Sequence, residues 1–131
     1  MNTNKDLLRI VAQAFYGNRV ETEIEEENLN RFILGYLDNS INITEQMDRT
    51  IIKVPNTKNI VIIYNKYKEE EKLQQKEKLL KEEEYELKPL AIIPEMNLKL
   101  YSRCIVCRMN EDGELESLQN DDYDKFMKYL V

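Results

Sequence analysis

The residues with the most chemical potential in this chain are the run Cys104-Ile105-Val106-Cys107 and two concentrations of acid. C-x-x-C is the spacing of zinc knuckles and of thioredoxin-type redox pairs, which set the motif on a turn or helix start so that the two sulfurs converge. Here the surrounding LKLYSRCIVCRM reads as strand, and strand residues three apart project to opposite faces. The two sulfurs then neither bridge nor share an ion within one chain, and behave as small buried hydrophobes. The alternatives are a redox pair or a metal shared between subunits, since zinc needs two further ligands.

The first acidic concentration is Glu21, Glu23, Glu25, Glu26 and Glu27; the second is Glu111, Asp112, Glu114, Glu116, Asp121, Asp122 and Asp124, with no base among them. The calcium-loop pattern D-x-[DN]-x-[DN]-G is absent, and the spacing singles out no carboxylate pair for a divalent ion. As recognition surfaces, Glu21, Glu23, Glu25, Glu26, Glu27, Glu111, Asp112, Asp121, Asp122 and Asp124 suit a protein with a basic surface. The plainer reading is turn and helix-end acids that keep the chain soluble. Either way, direct nucleic-acid binding is disfavoured, because it needs a basic stripe to displace counterions from phosphates. A different site is offered by Tyr101, Arg103 and Arg108, which fall in one strand region and suit a small anionic or nucleotide ligand.

The chain contains no histidine. Ser–His and Cys–His nucleophiles and His-containing zinc or non-haem iron sites are therefore out of reach for it alone. Gly17, Gly35 and Gly113 stand too far apart for a GxGxxG turn or a P-loop, which excludes those nucleotide-binding modes. No catalytic residues, metal or cofactor are assigned. The start shows no signal-peptide pattern and the longest apolar run is five residues, so the expectation is a cytoplasmic protein without a membrane segment. Two cysteines are too few for a secreted disulfide scaffold. Lys, Asn and Ile make up 39 of 131 residues, against nine for Gly, Ala and Pro, which points to an AT-rich genome such as a low-GC bacterium, its phage or another mobile element.

The elements that must position these residues follow from periodicity. Thr3 caps a first helix to Tyr16, with Leu7, Leu8, Val11, Ala14 and Phe15 on one face and Gly17 as its stop. A second helix carries Leu29, Phe32, Ile33, Tyr36 and Leu37, with the glutamates at or before its first turn. TIIKV and NIVIIY form a β-hairpin around Pro55, the second strand central. Residues 66–88, with seven lysines and eight glutamates, read as a long helix of roughly 33 Å at 1.5 Å per residue. Leu73, Leu79, Leu80 and Leu87 would lay it on the domain. Its half-filled heptad leaves a homodimer zipper as the alternative. Strands follow Pro89, the run Asn110-Glu111-Asp112-Gly113 turns a hairpin into ELESL, and Asn120 or Asp121 caps a last helix with Tyr123, Phe126, Met127 and Leu130 inward.

The expected architecture is one α+β domain over residues 1–131, with a small antiparallel or mixed sheet, flanking helices and one long, highly charged helix. The expected function is binding rather than enzymatic: an inhibitor of the phage anti-defence or anti-CRISPR kind, or a toxin-immunity protein, occluding a basic surface. A nucleotide-sequestering oligomer and a carboxylate/metal-dependent enzyme are the alternatives.

Overall fold

Strands made of consecutive apolar residues need cover on both faces, and IVIIY and CIVC take the middle of the sheet for that reason. The computed structural model describes residues 7–15, 18–38, 49–81 and 87–131. In chain order the described elements are β1 (Leu7–Phe15), β2 (Asn18–Glu25), α1 (Glu26–Asp38), β3 (Arg49–Lys53), β4 (Ile60–Asn65), α2 (Lys66–Lys81), β5 (Ala91–Ile93), β6 (Leu98–Leu100), β7 (Cys104–Met109), β8 (Leu115–Glu116) and α3 (Tyr123–Phe126). Short 3-10 turns join β5 to β6 and flank α3. The main sheet runs β2-β1-β7-β4-β3 with β8 also on β7, every pairing antiparallel, and β5–β6 is a separate hairpin. The fold is thus α+β.

Each face of the sheet has its own core. On one, Val11, Ile60, Ile62, Cys104 and Val106 pack with Ala91, Ile93 and Leu100 of the β5–β6 hairpin and with Leu118, Phe126, Tyr129 and Leu130 from the C-terminal segment. On the other, Ile10, Ala12, Val61, Ile63, Ile105 and Cys107 pack beneath Leu29, Ile33 and Leu37 of α1. The β3–β4 hairpin and the β7–β8 turn form where the sequence places them, with Gly113 at φ 83° supplying the left-handed residue of the second. Among the described residues no helix is long and apolar enough to cross a membrane.

Two expectations are overturned near the start of the described chain. Residues 7–15 are a strand and not a helix. In LLRIVAQAF apolar residues serve both faces, so the helical spacing of Leu7, Leu8, Val11 and Ala14 is a by-product of two-sided burial. The helical reading left Ile10 and Ala12 on a polar side, yet both are buried. Glu21, Glu23 and Glu25 likewise do not open a helix. They alternate with Val20, Thr22 and Ile24 along β2, and helix α1 starts at Glu26, where Glu26 and Glu27 meet its positive end. The proposed cap at Thr3 and stop at Gly17 lie outside the described residues.

The long charged helix is also corrected. α2 is 16 residues; residues 82–86 lie outside the described set, and residues 87–89 are not helical. Leu73 does not lay it on the sheet, being 40% exposed; the side chains of Leu79 and Leu80 are outside the described set. Polar groups hold the helix instead. Asn65 Oδ1 accepts from the backbone of Tyr67 at 2.9 Å and of Lys68 at 3.2 Å, capping the first turn. Glu69, only 7% exposed, accepts from the Tyr101 N–H at 2.9 and 3.0 Å, the Ser102 N–H at 2.8 Å and the Ser102 hydroxyl at 2.7 Å. Two turns along, Lys76 Nζ donates to the Tyr101 hydroxyl at 2.8 Å and lies over its ring.

Hydrogen bonds to a charged group are the stronger kind, and their loss strands buried donors. Glu69→Ala should therefore cost about 3 kcal/mol in urea unfolding. Leu73→Ala should cost less than about 0.5 kcal/mol. The reverse ranking would show that leucine packing, not the carboxylate, holds α2.

Candidate functional site

The two thiols sit on the central strand and serve opposite cores, Cys104 on the hairpin side and Cys107 on the α1 side. Both are free and buried. Burial pushes each thiol up to about 12, with the Glu69 charge adding to the effect at Cys104. Neither pairs with the other, and reactivity would require a thiolate the interior disfavours. The folded chain keeps both protonated where the unfolded chain ionises them, so this contribution to stability is full below pH 9 and is lost as pH climbs towards 12. A Cys104→Ala/Cys107→Ala variant should show a shallower fall in urea midpoint over that window. Identical slopes would remove the thiols as its cause.

The acids are distributed by strand register and by the C-terminal segment. Glu21 and Glu23 lie opposite Val11 and Arg9 of β1, and Glu25 opposite Leu7. All three share the Val11 side of the sheet. Residues 117–118 bond to the β1 backbone, the Arg9 N–H donating to the Ser117 hydroxyl at 2.9 Å and the Leu118 N–H to the Arg9 carbonyl at 2.9 Å, and Leu118 enters the core on the Val11 side. Arg9 then joins the two acidic stretches, donating to Asn120 Oδ1 at 2.8 Å while its other Nη lies 3.9 Å from Glu23. Glu21, Glu23, Asp121 and Asp124 are all exposed, Asp121 directly after Asn120. Glu26 of the first stretch meets Glu114 and Glu116 of the second along a groove of about 360 Å³ with Leu7, Leu8 and Leu115. Glu111 and Asp112 stand exposed in the β7–β8 turn, and Glu27 on the first turn of α1.

Asp122 does not belong with these surface acids. It is 1% exposed and receives Arg108 Nη1 at 2.7 and 2.9 Å, together with the Gln119 N–H at 2.7 Å in a capping box that starts the C-terminal turn. The capping residue is thus Gln119 rather than Asn120 or Asp121. Removing one partner of a buried pair leaves an uncompensated charge, so Asp122→Ala should cost about 3 to 4 kcal/mol of stability. Asp121→Ala and Asp124→Ala should each stay within about 0.5 kcal/mol. Equal effects in urea unfolding would contradict this separation of interior from surface acid.

Tyr101, Arg103 and Arg108 do not converge. Tyr101 is buried against α2 through Glu69 and Lys76. Arg103 donates to the Tyr36 carbonyl at 3.3 Å and lies over the Tyr36 ring, beneath the end of α1. Arg108 is taken by Asp122 on the opposite side. Residues 101–103 are not strand, so the alternation that would have put Tyr101 and Arg103 on one face does not operate.

Among the described residues no group of three or more Cys, Asp or Glu is arranged to hold a metal ion. Sequence reasoning missed Arg9 as the link between the acidic stretches and Glu69 as the anchor of α2. For Arg9 the signal was its place in an apolar run; Glu69, in a row of three glutamates, carried none. The geometry defines a class, an α+β protein in which Arg9 brings together parts of two distant acidic stretches. Comparison with family models, curated proteins and solved structures finds no match.

Proposed function

We propose that this protein acts by binding, its acidic side occluding a basic surface of a partner protein. The observation that carries this reading is the meeting of Glu21 and Glu23 with the segment bearing Asp121 and Asp124, joined through Arg9. A surface on which exposed acids outnumber the bases beside them, Arg9 and Arg19, steers an oppositely charged partner and opposes wrong ones. With no histidine for nucleophile or base, binding is favoured over catalysis. A small acidic binder from an AT-rich genome fits an inhibitor working in the host cytoplasm: a phage anti-defence or anti-CRISPR factor, or a toxin-immunity protein. The dispersal of Tyr101, Arg103 and Arg108 lends nothing to the ligand-sequestering alternative.

Charge reversal at Glu21, Glu23, Asp121 and Asp124, leaving Asp122 in place, should slow association with the basic partner recovered from host lysate by about tenfold or more. Raising salt should slow the native chain in the same way. Association rates unchanged by both would sink the proposal.

A further inference from the structure

Among the described residues β2 pairs only with β1, so on its other side alternate N–H and C=O groups face outward, and Val20 is 48% exposed. Natural sheets usually blunt such an edge with charged side chains, lysine above all, with proline or with a bulge, and here four charged residues are the guard, which admits a strand of complementary charge. The sequence NRVETEIE contains no lysine or proline, and the one register break in its pairing falls between the partners of Asn18 and Arg19. Among the described residues Arg19 to Ile24 therefore form a continuous, regular edge.

Its two faces are chemically different. Arg19, Glu21, Glu23 and Glu25 alternate on one face, with Arg9 across the ladder beside Glu23 and bonded to Asn120, the neighbour of the exposed Asp121. Val20, Thr22 and Ile24, on the other face, carry no charge.

Building on the acidic-side reading, we propose that the β2 edge docks a basic β-strand of the partner protein, adding a strand to the sheet. Main-chain hydrogen bonds would hold the added strand and alternate side chains would select it. The strand that fits carries Lys or Arg opposite Glu21 and Glu23, with β-branched residues facing Val20 and Thr22.

A second copy of this chain fits less well. Two β2 strands paired antiparallel about Thr22 set Glu21 against Glu23 twice at the centre, where like charges directly opposite are destabilising, and Arg19 against Glu25 only at the two ends. Head-to-tail pairing with β3 fails on register. Glu21 aligns through Val11, Val106 and Ile62 with Ile52, so Arg49 and Lys53 lie on the opposite side of the sheet. Copies continuing one sheet would bring the glutamates beside Thr50 and Ile52.

The test uses a synthetic peptide with lysine at alternate positions and valine or threonine between, and a second peptide identical but N-methylated at every backbone amide. Methylation keeps all charges and removes the ability to pair with a sheet edge. The inference expects the first peptide to protect β2 amides from hydrogen exchange and to bind at least about tenfold more tightly than the methylated one. A Glu21→Gln/Glu23→Gln variant should bind the first peptide at least about tenfold more weakly while unfolding at the same urea concentration. Salt-sensitive binding that is equal for the two peptides would overturn the strand mode and leave the acidic-side reading standing. No binding of either peptide, protection confined to other elements, or β2 already protected by self-association in the chain alone would overturn the inference as well.

Discussion

The two-sided burial of β7 is the constraint on which the rest of the molecule depends. Cys104 and Val106 need cover on one side, Ile105 and Cys107 on the other, and no single element can supply both. One side is met locally by α1, whose stripe of Leu29, Ile33 and Leu37 is enough to close it. The other side is met piecemeal by the β5–β6 hairpin and the C-terminal residues 118–130. That division explains why the C-terminal segment is threaded back across β1, and hence why two acidic stretches separated by most of the chain come to lie side by side.

Polar groups fix the geometry that apolar burial leaves loose. Hydrophobic contact is non-directional, whereas Gln13, Asp122 and Glu69 each bond to specific partners in the interior. Gln13 donates to the carbonyls of Leu90 and Val131, holding the chain's end on β1. Asp122 turns Arg108 inward and starts the final turns, and Glu69 seats α2 on the connection into β7. Unpaired buried polar groups are costly, so these contacts act as register marks for segments with little apolar surface of their own.

The parts of the fold legible in the sequence were those with one consistent period. The β3–β4 hairpin, α1, the β7–β8 turn and the opposed cysteines all follow from alternation, helical spacing or a turn residue. β1 was not legible because burial on both faces erases alternation, and its apolar residues then satisfied a helix template by chance. β2 did alternate, as V-E-T-E-I-E, but grouping its glutamates by charge concealed their spacing. The acid-rich composition of the site was visible from the start. Its assembly was not, because it depends on Arg9 bonding Asn120 across more than a hundred residues, and no local pattern encodes such a contact.

The mounting of α2 has a mechanical consequence. Its described attachments lie at its start, through Asn65 and Glu69, and at Lys76, and the last two converge on Tyr101 and Ser102, immediately ahead of the central strand. A helix seated this way behaves as a lever whose fulcrum is the peptide leading into β7. A pull on its exposed face is therefore felt first at the entry to β7, which both cores share together with β1 and β4.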